Sequence, residues 1–306
     1  MGQELTSRSI GSVPDTRARS ITGALKKSWK AFWQYPVLPV MILVTMTVCG
    51  IFAPLLAPHD PIRPDLLAIA QPPVWQEGGS SEYLLGTDKL GRDLLSRLIY
   101  GARASLAVVV ISTTTGMLVG TLLGLVSGYY GKHVDEVISR TVDIWLAIPF
   151  LLVAMITVII FGQSLSIMLG LLALLAWSPF VRNVRAEVLT LREREYISSA
   201  RISGASSARI LAKHVLPNVL NTVMVIASLR VGQLILSESI LSYLGVGVPP
   251  PTPAWGSMVA DGRDYLNTAW WISTLPGFAI LLVVLAFNFT GDWVRDRTDP
   301  RLRQLG

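Results

Sequence analysis

The 306-residue chain is 51% hydrophobic and 15% charged, with a formal net charge of +6 and a mean hydropathy of +0.52. Soluble domains carry about 25% charge, and disordered chains need low hydrophobicity, so both classes are excluded. The single cysteine, Cys49, excludes an intrachain disulfide framework and a thiolate metal cluster.

Residues 1–35 begin polar and turn basic and aromatic at Lys26, Lys27, Trp29, Lys30, Phe32 and Trp33. Such a stretch before a span favours the inner membrane interface. A cleaved leader is not expected, because the apolar run that follows is longer than a signal core and its basic flank is too long. About 20 uncharged residues cross the hydrocarbon. Pro36 to Pro58 supplies 23, and Ala104 to Gly131 supplies 28. Ile144 to Val181 supplies 38 around a central Gly162-Gln163-Ser164, which fits two helices and a tight turn. Val215 to Leu244 is apolar except for Arg230 and Glu238, and Tyr265 to Gly291 is uncharged for 27 residues. The count is six spans, an all-α membrane protein.

The first outer segment is loop-like over 58–86. Asp88/Arg92 and Asp93/Arg97 at i,i+4, with Leu94, Leu95, Leu98 and Ile99 on one face, then predict a short amphipathic surface helix over 88–100. Arginines interleaved with Asp88 and Asp93 argue against a metal site. In the second span Gly116, Gly120, Gly124 and Gly128 repeat every four residues, the pattern of a close helix-packing face in lipid. In the fifth, Arg230 is expected near mid-membrane and Glu238 near the outer interface. An intramembrane arginine costs about 2.5–3.5 kcal/mol on insertion scales, so Arg230 either lines a polar translocation pathway or pairs with a neighbouring helix. Glu238 is the second pathway candidate. Pro249-Pro250-Pro251 stiffens the second outer segment, as a docking surface or a plain connection, and Trp270-Trp271 is expected at the outer headgroup boundary.

With the N-terminus inside, segments 1–35, 130–143, 182–214 and 292–306 carry 6, 2, 7 and 4 Lys and Arg, nineteen in all, against six outside. That bias puts both termini in the cytoplasm. It also accounts for the positive charge through lipid topology, with no nucleic-acid partner.

The inner segment 185–217 is too polar to cross. Leu189, Arg192, Tyr196 and Ala200 predict one helix, Gly204 a break, and Ser206 the N-cap of a second short helix through Ile210 and Leu211. Tyr196, Ala200, Arg201, Gly204, Ala205, Ser206, His214, Leu216, Pro217 and Asn218 resemble the inner-loop signature of ATP-binding-cassette importer permeases of the peptide-transporter subgroup. Ser198 and Ser199 stand where the general signature has Glu-Ala, and His214 where it has Ile. Leu85-Gly86-Thr87-Asp88, Gly91-Arg92-Asp93, Pro250 to Gly256, and Ala286-Phe287-Asn288 through Asp299-Pro300 extend the resemblance to the C-type permease of dipeptide and oligopeptide importers.

The resemblance implies a type I importer permease fold in a bacterial inner membrane. It divides the chain into a tail (1–35), a first span with outer loop and elbow helix (36–103), a permease core (104–291) with coupling loop 185–217, and a C-terminal tail (292–306). It implies a second related permease, two ATPase subunits that bind ATP and Mg, and an external solute-binding protein. Residues 196, 198–201, 204–206, 214, 216 and 217 would dock the ATPase. Di- or oligopeptides are the implied cargo, with nickel chelates, glutathione and opines as alternatives. The chain itself has no HExxH pair and no GxxxxGK[ST] loop, and its three histidines fall in separate segments, so no catalysis and no cofactor are expected of it. A secondary transporter or channel is the alternative of another class; paired intramembrane acids would favour it.

Overall fold

The computed structural model describes residues 36–298, so the basic-aromatic tail and Asp299-Pro300 lie outside the described residues. Apolar periodicity and Gly/Pro punctuation resolve into nine principal helices among these residues. They are α1 (Val37–Ile51), α2 (Leu94–Tyr130), α3 (Lys132–Ala147), α4 (Phe150–Phe161), α5 (Leu165–Leu191), α6 (Glu195–Ile202), α7 (Ser207–Tyr243), α8 (Trp255–Gly262) and α9 (Trp271–Thr298). Four of them, α2, α5, α7 and α9, are long and apolar enough to cross a membrane. A fifth crossing is available if α3 and α4, bent by 81° at Ile148-Pro149, form one broken span, and α1 is a shorter apolar helix.

Two expectations change here. The amphipathic segment before the second span is not a separate helix over 88–100. Residues 87–93 form a turn, Asp93 caps the helix by accepting from Ser96 N–H at 2.9 Å, and α2 then runs 37 residues to Tyr130. The inner loop behaves alike. Its second short helix is the beginning of the 37-residue α7, while Leu189 belongs to α5 and Tyr196 to α6. Each long helix contains one π turn, Val108–Ser112 in α2 and Leu211–Val215 in α7. The second precedes Pro217, whose ring cannot donate and crowds the carbonyl four residues back.

The core of the structure is the pairing of α2 with α5. A Cβ on Gly120 would fall 2.6 Å from Phe180 Cβ, on Gly124 2.8 Å from Val184 Cβ, and on Gly128 2.7 Å from Val188 Cβ, while Gly116 abuts Ala176. The glycine row lets the two backbones approach where any side chain would hold them apart. Buried residues from α2, α5, α6 and α7 (Leu125, Val188, Ile197 and Val219 among them) fill the end of this pair beside α6. A second cluster, with Leu94, Val231, Ile235, Trp255 and Ile272, seats α8 among α2, α7 and α9. Large apolar side chains such as Met41, Ile156 and Ile159 face outward, which lipid favours as much as a protein interior does.

Candidate functional site: a polar cavity joined to an exposed knob

The knob formed by α6 and the start of α7 is built by local rules. Helix α6 ends in a paired-bond cap: Ala205 N–H donates to Ala200 O and Gly204 N–H to Arg201 O, both at 3.1 Å, with Gly204 at φ +80°. This is the left-handed position that glycine occupies without a Cβ penalty. Ser206 then accepts from Arg209 N–H and starts α7. The knob is anchored beneath: Ile197, Ile210 and Val215 are fully buried, and the Arg201 guanidinium lies 5.9 Å from the Tyr129 ring at the C-terminal end of α2. Its outer surface is free. Tyr196, Ser198, Ser199, Arg201, Gly204, Ser206 and Pro217 are exposed, and Ala200, Ala205, His214 and Leu216 are half-buried. Ile202 is 88% exposed, an apolar side chain that lies outside the signature residues. Nothing lies within 4 Å of a Cβ built on Gly204.

Helix α7 leads from this knob to a cavity of about 770 Å³ between α5 and α7. Its walls include Asn218, Asn221, Thr222, Arg230 and Gln233 of α7, Asn183 and Glu187 of α5, and Arg295 of α9. A smaller cavity of about 290 Å³ shares Asn183, Arg230 and Gln233. Arg230 is half-buried and donates to the Gln233 side chain one turn along the helix. Pro179 interrupts the hydrogen-bonding of α5, and the Asn183 amide donates to its carbonyl at 2.8 Å. Of the two pathway candidates, the cavity takes only Arg230. Glu238 is fully enclosed, accepting from Ser242 Oγ at 2.7 Å and Ser239 Oγ at 3.4 Å, and it does not line the cavity wall. The helix α8, packed with Gly256 against Ser239, covers it.

The end of the long helices opposite the knob holds a network that sequence spacing identifies only in part. Asp88 accepts from Arg92 Nε at 2.7 Å and lies 3.3 Å from Arg97 Nε, but Arg97 does not pair with Asp93. Asp261 of α8 joins through Lys89 at 2.7 Å and Arg92 at 3.6 Å. Asp88, Arg92, Asp93 and Arg97 are all buried. Trp271 is buried too and donates to Thr87 O at 3.2 Å, so it is a structural strut and not a headgroup anchor. Burial and the neighbouring Asp65 carboxylate push the Tyr83 phenol above its usual range. The loop leading into the triple proline is fastened to the α4–α5 turn, where the Gln163 amide donates to Gly247 O at 3.2 Å. No group of acids, histidines and cysteine among the described residues could hold a metal ion.

Sequence reasoning missed Glu187, Asn183 and the amide row of α7. The signal was present: Asn218, Thr222, Val225, Leu229 and Gln233 step by three and four, one helix face. It also missed α3, whose Asp135 carboxylate accepts from Ser127 Oγ at 2.5 Å and from Arg185 Nη2 at 2.6 Å, bridging α2, α3 and α5.

Comparison with known proteins follows the same lines. Residues 120–304 match the family model described as the binding-protein-dependent transport system inner membrane component. The chain is similar to a di/tripeptide transport system permease protein of Pseudomonas aeruginosa, 42% identical over 91% of this chain and 93% of that one. It is also similar to a glutathione transport system permease protein of Pectobacterium atrosepticum, 36% identical over 96% of this chain and 97% of the other. Among solved structures, an inward-facing form of the methionine ABC transporter MetNI has a chain that matches with a TM-score of 0.54 at 20% identity. The match covers 66% of this chain and 96% of that one, and it speaks to the fold alone.

Proposed function

We propose, from the premise that this chain belongs to the family of binding-protein-dependent transport inner membrane components, that it is the permease subunit of an ATP-driven importer of di- and oligopeptides. The observation that carries the reading is one continuous helix. Helix α7 begins in the exposed knob beside Gly204 and reaches the polar cavity at Arg230, so a push on the knob is delivered to the cavity wall. A helix of this length transmits displacement because its core face is locked into α5 and α9. The force must come from a ligand that binds one state better than the other, supplied from outside this chain. ATPase subunits at the knob, and a loaded binding protein on the outer side, are the drivers that fit.

The complete assembly is then this chain, a second related permease, two ATPases and one external binding protein, in a bacterial inner membrane. We read α1 and the bent α3–α4 pair as the two further crossings that bring the total to six, with both termini in the cytoplasm; the positive charge of segments 182–214 and 292–306 supports that orientation. The subunit itself carries no catalysis and needs no cofactor. Glutathione, itself a small peptide, is the second reading of the cargo, favoured by the Pectobacterium relative.

The test is co-purification with the ATPases. A tagged chain should retain them, and Gly204→Arg should release them, because a long side chain at a φ of +80° both strains the cap and blocks the knob. Uptake that persists with every ATPase removed would sink the reading.

A further inference from the structure

We infer that the α5–α7 cavity is a transient subsite for a dipolar peptide, with the peptide ammonium directed to Glu187 and its carboxylate to Arg230. The assignment rests on the importer reading above. It goes beyond it by naming the groups of this chain that meet the cargo.

The first argument is unmet electrostatic demand. Glu187 and Arg230 line the same cavity. Glu187 Oε2 is sealed from solvent with no hydrogen-bond partner among the described residues, and the carboxylate forms no ion pair among them. Arg230 is held only by the neutral Gln233 side chain, also among the described residues. A purely structural pair would have closed on itself. Here a carboxylate and a guanidinium are held apart across one space, and each lacks an opposite charge. Burying such groups is costly unless a partner arrives. Arg295, at the same cavity, adds a second cation from α9. The wall therefore suits a ligand that brings both signs of charge better than a simple cation.

The second argument is spacing. Arg230 and Asn183 line the smaller cavity together as well. Glu187 lies one helical turn from Asn183, about 6 Å along the axis. An extended dipeptide spans about 7 Å. The cavity volume of about 770 Å³ falls within the range of about 300–1,000 Å³ typical of small-ligand sites.

The third argument is the character of the remaining wall. Asn218, Asn221 and Thr222 offer both donors and acceptors with no net charge. They can meet a peptide amide whatever its side chains are. A row of modest contacts also favours passage, since conduction requires binding weak enough to release.

The experiment uses the whole assembly in proteoliposomes, with dialanine as cargo, and reads uptake per ATP hydrolysed. Glu187→Gln and Arg230→Gln should each lower that ratio at least fivefold with the yield of intact complex unchanged, and Arg230→Lys should recover at least half. In a Cys49→Ala background, Asn183→Cys should be labelled by a cationic thiosulfonate at least threefold more slowly when ATP and dialanine-loaded binding protein are present than with empty binding protein. Wild-type ratios in both charge variants, or labelling indifferent to dialanine, would overturn the subsite. Complex yield falling in step with uptake would also overturn it, by making Glu187 and Arg230 a contact with the second permease. Failure of the wild-type assembly to accumulate dialanine at all would count instead against the importer reading.

Discussion

Two buried carboxylates show how differently one residue type can be used. Asp88 sits between two buried guanidiniums, Arg92 and Arg97, and reaches Asp261 of α8 through Arg92. Removing one member of such a buried cluster leaves charge uncompensated, which costs about 3–5 kcal/mol. Asp88→Ala should therefore cut the yield of folded chain sharply, as thermal unfolding of the detergent-solubilised protein would register; an unchanged unfolding temperature would contradict the network's role. Glu238 is the opposite case. It faces only hydroxyls, from Ser239 and Ser242. Glu238→Gln keeps the shape and an acceptor while removing a charge that no cation among the described residues offsets, so complex yield should equal or exceed wild type. A large loss of yield would mean that the carboxylate has a cationic partner elsewhere in the assembly. The i,i+4 spacing of Asp88 and Arg92 was legible, and the pair forms. The depth of Glu238 was not legible, because burial depends on α8 folding back over α7, and nothing near residue 238 encodes that.

At the scale of elements, the α2–α5 seam and the two π turns define the mechanics. The glycines of α2 meet backbone and Cβ atoms of α5 along four successive turns, whereas Gly170 of α5 has open space around it. Gly120→Leu should separate the helices and destabilise the chain by roughly 1–3 kcal/mol or more, lowering complex yield in size-exclusion chromatography. Gly170→Leu should leave yield unchanged, and equal effects of the two would contradict the seam. Helices α2 and α7 share a design: an outer or inner terminal segment continues into a long apolar helix through a π turn. Hydropathy alone divides each into a short surface helix and a separate span, because charge density changes where the backbone does not. Only the hydrogen-bond path reveals that Ser206 and Arg230 lie on one rod.

For the whole molecule, the arrangement is directional. The buried ionic network and α8 lie at one end of the long helices, the exposed knob at the other, and the cavity between. On the orientation proposed, a fluorescent protein fused after Gly306 should fold and fluoresce in the cytoplasm, and alkaline phosphatase inserted near Gly78 should be active outside. The reverse pattern would invert the assignment of knob and network to their membrane faces.

The sequence by itself determined the solvent, the helical class, the uneven distribution of charge, the spacing of the packing glycines and the family resemblance. These follow from composition and from periodicities of about four residues, which any helix expresses locally. Tertiary structure alone decided that Glu238 is sealed, that Trp271 braces Thr87, that Asp261 completes the outer network, and that Glu187 faces the cavity of Arg230. Each of those depends on segments far apart in the chain being packed together. A side chain's burial and partners are properties of that packing, which local spacing does not contain.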